Sequence, residues 1–260
     1  MKLIFTALLV IGIALSVKAQ TDSLHAAVYT PKGKPVQMGN VTKQLIILGT
    51  TLDIKRFEVY TLTLEPGKKY SSTATDRKNE QLIVVKDGNI KITVNDTAKT
   101  VGPGSLALIL AGDKIAFENT SAQPVSWYVL NYQTSMENHQ RGHDAGPSFL
   151  KDWKDLKVTK TDKGETRNVY DRPTTMFERF DVHATVLNNG FDSHAPHTHR
   201  AEELILMING NCQFQIGQEK FQAKNGDAVL MASKVPHAAQ NVGTAPCSYY
   251  AIQWHLLKGN

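Results

Sequence analysis

The sequence predicts an all-β protein made of two tandem barrels, and three observations predict it. Residues 80–132 align with residues 202–254 at a constant offset of 122 without a gap, with twelve identities in 53 positions. The shared residues include Gly88 and Gly210, Gly104 and Gly226, and Pro124 and Pro246, turn formers that composition alone would not bring into register. Both copies consist of short β-type runs, at residues 81–85, 90–94, 106–110 and 204–208, and the dipeptides Asp87-Gly88 and Asn209-Gly210 follow such runs as hairpin signals. No long stretch carries a helical period, and many short strands at regular spacing make a sandwich or small barrel.

The elements follow in order. Lys2 precedes an apolar run at residues 3–17, and small residues stand at Val17 and Ala19. A membrane span needs roughly 20 apolar residues, so this shorter run reads as a secretory signal peptide, residues 1–19, cleaved after Ala19. The mature chain would then be exported, to a periplasmic or extracellular location, without a membrane anchor. Residues 20–44 are expected to form an N-terminal arm along the edge of one barrel. The first barrel is expected at 45–133, a polar linker at 134–168 with a helical turn around 148–156, and the second barrel at 169–257.

With 260 residues, 41% hydrophobic and 20% charged, the chain has the composition of an ordinary globular protein, not of a disordered or fibrous one. The formal charge of +5 includes Lys2 and Lys18 of the leader, and no basic block focuses it, so no nucleic-acid partner is expected. Cys212 and Cys247 could pair in an oxidising compartment, but their spacing leaves the pairing open, and two separate buried thiols are the simpler expectation.

Histidines mark where chemistry sits. Of nine, none lies between Glu58 and Gln133, while His183, His194, His197, His199, His237 and His255 fall in the later half. His197, His199 and Glu203 share strand parity, so an extended backbone would aim all three to one side; Glu202 is then expected to be exposed. His237 follows Pro236 at a later strand. Three imidazoles and a carboxylate suit a divalent transition metal such as Mn, Fe, Zn or Ni and leave positions open for a ligand. In the first copy the corresponding residues are Thr75, Arg77, Gln81 and Ile115, which offer neither imidazole nor carboxylate.

These segments resemble the cupin superfamily. Gly190…His197-Thr-His199-Arg-Ala-Glu-Glu203, followed after six residues by Gly210, is similar to the first cupin motif, and Asn225-Gly226-Asp227…Pro236-His237-Ala-Ala-Gln-Asn241 to the second. The resemblance implies a bicupin: two double-layered antiparallel jelly-roll barrels, the first metal-free and structural, the second holding one metal on His197, His199, Glu203 and His237. It also implies edge-strand pairing of the kind that forms a homodimer. The ligand order resembles that of quercetin-dioxygenase-like cupins, yet the family hosts dioxygenases, decarboxylases, hydrolases and non-catalytic proteins. Two functions therefore stand at this point: a mononuclear metal enzyme acting on a small oxygen-bearing molecule, and a metal-dependent binding protein for a sugar or organic acid. His183 and His255 are the candidate catalytic proton-transfer groups, and His194 a candidate gate. On the last strand, parity separates Gln253 and His255 from Tyr250, Ile252 and Trp254 without saying which set faces the pocket.

Overall fold

In the computed structural model, which describes residues 22–72 and 78–256, the apolar runs become antiparallel strands. In chain order these are β1 (Ala27–Tyr29), β2 (Lys32–Met38), β3 (Val41–Gly49), β4 (Arg56–Leu64), β5 (Lys69–Ser72), β6 (Glu80–Asp87), β7 (Ile90–Val94), β8 (Thr97–Val101), β9 (Leu106–Ile109), β10 (Ile115–Glu118) and β11 (Val125–Gln133). Helix α1 (His139–Asp144) follows, then β12 (Phe149–Lys151), a 3-10 turn at Trp153–Asp155, β13 (Thr159–Thr161), β14 (Gly164–Arg172) and β15 (Arg179–Leu187). The chain ends with β16 (Glu202–Asn209), β17 (Asn211–Ile216), β18 (Glu219–Lys224), β19 (Ala228–Met231), β20 (His237–Gln240) and β21 (Cys247–His255). The expected leader, and Thr75 and Arg77 of the first copy, lie outside the described residues.

Each barrel sets a large sheet against a small one. The first has the order β12-β9-β6-β11-β4-β3-β2 against β5-β10-β7-β8; the second has β1-β19-β16-β21-β15-β14-β13 against β18-β17-β20. The repeated Asp-Gly and Asn-Gly steps take the chain from one sheet to the other. Gly88 and Gly210 have φ of +80° and +75°, and a Cβ on Gly210 would lie 2.9 Å from Cys247 Cα, so only glycine suits that corner.

Two short strands cross between barrels. β1 pairs with β19 of the second barrel, and β12 pairs with β9 of the first. Residues 20–44 thus divide, with β1 on the second barrel and β2 and the start of β3 on the first. The segment 134–168 likewise contributes β12 to the first barrel and β13 with the start of β14 to the second.

The largest apolar cluster lies between the barrels. Phe57 packs edge-on to Trp254 with centroids 5.6 Å apart, and Tyr132 stacks on Phe177 at 5.1 Å. The outward faces of β11 and β21 supply Tyr128 and Tyr250, whose hydroxyls donate to Met207 O and Gly104 O of the opposite barrel. Parity along β21 is thereby resolved: Tyr250, Ile252 and Trp254 face the other barrel.

Inside the first barrel Trp127 stacks on Phe117 at 4.3 Å, with Tyr70 beside them and Ile83, Ile92, Ile109 and Ile115 closing the core. The second barrel has Tyr249, Ala239, Phe214, Ile205, Met231 and His237 at the matching places. Replacing the Phe117 ring by the Ala239 methyl empties part of the lumen.

Two glutamates are buried in the interface. Glu202, expected to be exposed, is 2% exposed. It accepts hydrogen bonds from Thr51 Oγ1 (2.6 Å), Leu52 N (3.1 Å), Asp53 N (3.0 Å) and Trp254 Nε1 (3.1 Å). The expectation failed because strand parity only places Glu202 opposite Glu203; it does not reveal that the far side is covered by the other barrel. The repeat supplies a mirror: Glu80 accepts from Tyr132 Oη (2.8 Å) and Thr175 N (3.0 Å).

Burial pushes the Glu80 carboxyl up to about 7 against the opposing pull of these donors. The folded state therefore holds this proton at pH values where the unfolded chain has released it, and stability from this group falls as pH rises from about 4.5 to about 7. Glu80→Gln is expected to remove that slope, a difference of up to roughly 3 kcal/mol across the window. Urea unfolding of both proteins at pH 5 and pH 8 checks it; parallel pH dependences would refute it.

Cys212 and Cys247 form a disulfide between β17 and β21, Cα–Cα 6.6 Å. This corrects the expectation of separate thiols, since the sheet-to-sheet register that joins them is invisible in their 35-residue separation. Such a bridge stabilises by about 3 kcal/mol. The double variant Cys212→Ala/Cys247→Ala should lose about that in urea unfolding, and reductant should destabilise the wild type but not the variant.

Candidate metal centre

The centre is assembled by a short backbone pairing. His197 N donates to His237 O (3.2 Å) and His237 N to His197 O (3.0 Å), while Lys234 N donates to His199 O (2.8 Å). Directly opposed residues of an antiparallel pair project on the same side, so the rings meet. Centroids lie 4.8 Å apart for His197 and His237, 4.7 Å for His199 and His237, and 5.2 Å for His197 and His199. One nitrogen from each of the three lies within 4.8 Å of the others. The backbone bends at Arg200 and Ala201 before β16 begins, yet Glu203 still faces the cluster. Its Oε2 lies 3.3 Å from His199 Nε2 and 3.6 Å from His237 Nε2.

The tautomers are set from behind. His199 Nδ1 is 2.8 Å from Ala201 O and His237 Nδ1 is 2.8 Å from Val235 O. A carbonyl can only accept, so each Nδ1 carries the proton and each Nε2 presents a lone pair. Both Nε2 atoms are buried and make no hydrogen bond. Two orphaned, lone-pair-bearing nitrogens beside a buried carboxylate fit a divalent cation well. His197 is more exposed, and its Nδ1 lies 3.1 Å from that of His194.

Burial alone would raise Glu203, but hydrogen bonds and charge from the His199 and His237 imidazoles in their protonated form outweigh that and hold it down at about 2. Burial and the neighbouring histidines lower His197. Glu203 raises His199.

The cluster opens on a cavity of about 400 Å³ within the second barrel. Its apolar wall includes Ile205, Phe214, Met231 and Ala251, and its polar groups include His183, Tyr249, Gln253 and Ser193. Gln253 Nε2 donates to Glu203 Oε2 at 3.1 Å. In the first barrel the same pair of positions is Gln81 and Asn131, joined at 3.3 Å, with Ile115 where His237 stands.

Of the two candidate proton-transfer groups, His183 lines the cavity and His255 does not. Burial alone would lower His183, but the Asp181 carboxylate, Oδ1 3.6 Å from Nδ1, raises it above the ordinary imidazole value. His255 ends β21 opposite Arg179, and burial together with that cation lowers it. His194 stands at the cavity mouth, packed edge-on against His197 at 4.2 Å. Tyr249 was not foreseen. It shares the parity of Gln253 on β21, and burial pushes its phenol up to about 12 while Ser193 and Thr185 hydrogen-bond to it.

Comparison with known proteins agrees with this architecture. The cupin domain model matches twice, over residues 60–131 and 184–253, together more than half of the chain. An uncharacterized protein of Methanocaldococcus jannaschii is 34% identical over 54 residues, which is 19% of this chain and 43% of that protein, so the match spans less than half of that relative. Protein Ylba from E. coli is similar in structure with a TM-score of 0.69 at 14% identity, covering 94% of this chain and 97% of that one. Oxalate decarboxylase of Bacillus subtilis, whose structure is described with Mn(II) centres, has a TM-score of 0.67 at 10% identity and covers 93% and 80%. With a cupin domain in each barrel, this chain belongs to the cupin family and is a bicupin.

Proposed function

We propose that the chain is an exported, mononuclear metal enzyme acting on a small oxygen-bearing molecule within the second barrel. The observation that carries this is the pair of buried, unpartnered Nε2 atoms of His199 and His237 facing Glu203 beside a cavity of about 400 Å³. His197, His199, Glu203 and His237 would hold one ion of Mn, Fe, Zn or Ni. When bound, that ion supplies Lewis acidity or a site for dioxygen.

The surrounding residues shape what can enter. Among the described residues that line the cavity Lys163 is the one lysine and there is no arginine, and Lys163 Nζ already donates to Ser193 O at 3.1 Å. Asp162 shares that rim, while Glu165 is paired with Lys160 and Arg167. Such a mouth suits a neutral or singly charged molecule with an apolar body against Phe214 and Met231. His183 stands in the lining with its basicity supported by Asp181, placed to hold or move a proton on such a molecule. This favours catalysis over ligand storage.

The Cys212–Cys247 disulfide supports export, since such bridges persist in oxidising compartments. A homodimer through barrel edges accords with the exposed strands β2 and β13.

The test uses the exported full chain, stripped and reloaded separately with Mn²⁺, Fe²⁺, Zn²⁺ or Ni²⁺. Each form is offered enediols, phenols, monocarboxylates and lactones, with oxygen uptake, CO₂ release and hydrolysis followed. Turnover with one metal, reduced about 100-fold or more in His183→Ala at unchanged metal content, is the expected result. Ligand binding without turnover by any metal form would favour the binding-protein reading, and absence of metal binding would overturn both.

A further inference from the structure

Among the described residues the first barrel has no cluster of metal-ligating side chains, but it grips the segment that carries the second barrel's. The turn after β3 is closed on itself, Thr51 N donating to Ile54 O (2.8 Å) and Ile54 N to Thr51 Oγ1 (3.1 Å). From that rigid turn three donors, Thr51 Oγ1, Leu52 N and Asp53 N, converge on the Glu202 carboxylate. The Asp53 carboxylate, 5% exposed, takes a two-pronged ion pair from Arg200, Nη1 to Oδ2 at 3.1 Å and Nη2 to Oδ1 at 2.9 Å. Arg200 directly follows His199, and Glu202 directly precedes Glu203.

The repeat provides an internal control. The mirror carboxylate Glu80 is held across the interface in the same way, by Thr175 N together with the Thr174 hydroxyl and the Met176 amide, on a turn closed by Thr174 N to Phe177 O and Phe177 N to Thr174 Oγ1. Yet Lys78 and Met176 stand where Arg200 and Asp53 stand, so the mirror has the grip on its glutamate but no two-pronged ion pair. It borders Gln81, not a charged ligand. The extra contact is present only on the side that serves the histidine cluster. An arginine–carboxylate fork fixes orientation as well as distance.

We propose that Asp53 and Thr51 of the first barrel are positioning residues for the metal centre of the second, holding the backbone of residues 199–203 through Arg200 and Glu202 so that His199 and Glu203 converge. This rests on the metal reading above. Because strand neighbours point to opposite faces, pinning Glu202 from outside fixes the direction of Glu203 inside. The degenerate barrel would then be a working part of the centre and not merely a cover.

The experiment titrates Zn²⁺ against a competing chelator and records the visible spectrum of the Co²⁺ form, on the full chain, for wild type, Asp53→Asn, Thr51→Val, Thr51→Ser and Glu80→Gln. Thermal unfolding of each metal-free protein runs alongside. Asp53→Asn and Thr51→Val are expected to weaken Zn²⁺ binding by about 10- to 100-fold, the range for residues that orient ligands, and to shift the Co²⁺ bands. Thr51→Ser, which keeps the hydroxyl, should retain wild-type affinity and spectrum, and Glu80→Gln should stay within about twofold. If Asp53→Asn fails to fold, the Thr51 pair decides by the same criterion. Wild-type affinity and unchanged spectra in both Asp53→Asn and Thr51→Val would overturn this inference alone. A wild type that binds neither ion would overturn the metal reading and this inference with it.

Discussion

Glu203→Gln is expected to reduce metal content from about one equivalent per chain to below about one tenth after dialysis. The change is nearly isosteric and reproduces what the first barrel already has, Gln81 hydrogen-bonded to Asn131. It removes the charge that offsets a dication in a site where Glu203 is 6% exposed and where solvent gives little help. Loss of a charged ligand should exceed the 10- to 100-fold typical of the residues behind ligands, so more than about 100-fold is expected. His237→Ala should do the same, since its Nε2 is one of the two orphaned nitrogens. Gln81→Ala in the first barrel should leave metal content unchanged. Elemental analysis of the four proteins checks the set. A Glu203→Gln protein that still carries a full equivalent would remove the carboxylate from the ligand set.

The second large effect is expected for Glu202→Ala. Truncation strands four donors at once: the Thr51 hydroxyl, two backbone amides and the Trp254 indole. A stranded buried donor costs about 1–3 kcal/mol, and two of these are partly wetted, so the total should be about 5 kcal/mol. For a chain of this size that lowers the unfolding temperature by roughly 10 °C or more. Glu202→Gln keeps an acceptor for some of the donors and should cost less than half as much. Urea and thermal unfolding of both variants decide it. A loss below about 1 kcal/mol in Glu202→Ala would show that the loop at 51–53 rearranges to satisfy its own amides.

Much of this architecture was legible because a repeat encodes geometry twice. The offset of 122 placed β6 on β16 and β11 on β21 before any coordinate, and Gly88 and Gly210 marked the same corner. The histidine cluster was legible for a chemical reason, since His197, His199 and Glu203 share parity and His237 follows a strand-starting turn. What the sequence hid was what covers each face. Parity separated Tyr250 from Gln253 but could not say that Tyr250 meets Gly104 while Gln253 meets Glu203. Three of the four partners of Glu202 lie about 150 residues away in another barrel, and no local pattern reports such a pairing. The cavity itself depended on a subtraction, Phe117 in one copy against Ala239 in the other, which becomes meaningful only once both are known to point inward.

The reciprocal seating of β1 on β19 and β12 on β9 has a consequence for how this polypeptide can be cut. A fragment ending before Phe149 would leave the backbone of β9 bare, and a fragment beginning after Tyr29 would do the same to β19. Bare strand margins recruit other chains, so neither half should survive as a well-behaved monomer. Two half-length chains trading their leading segments would reproduce these pairings, so the tandem polypeptide holds within itself the symmetry of an intertwined pair.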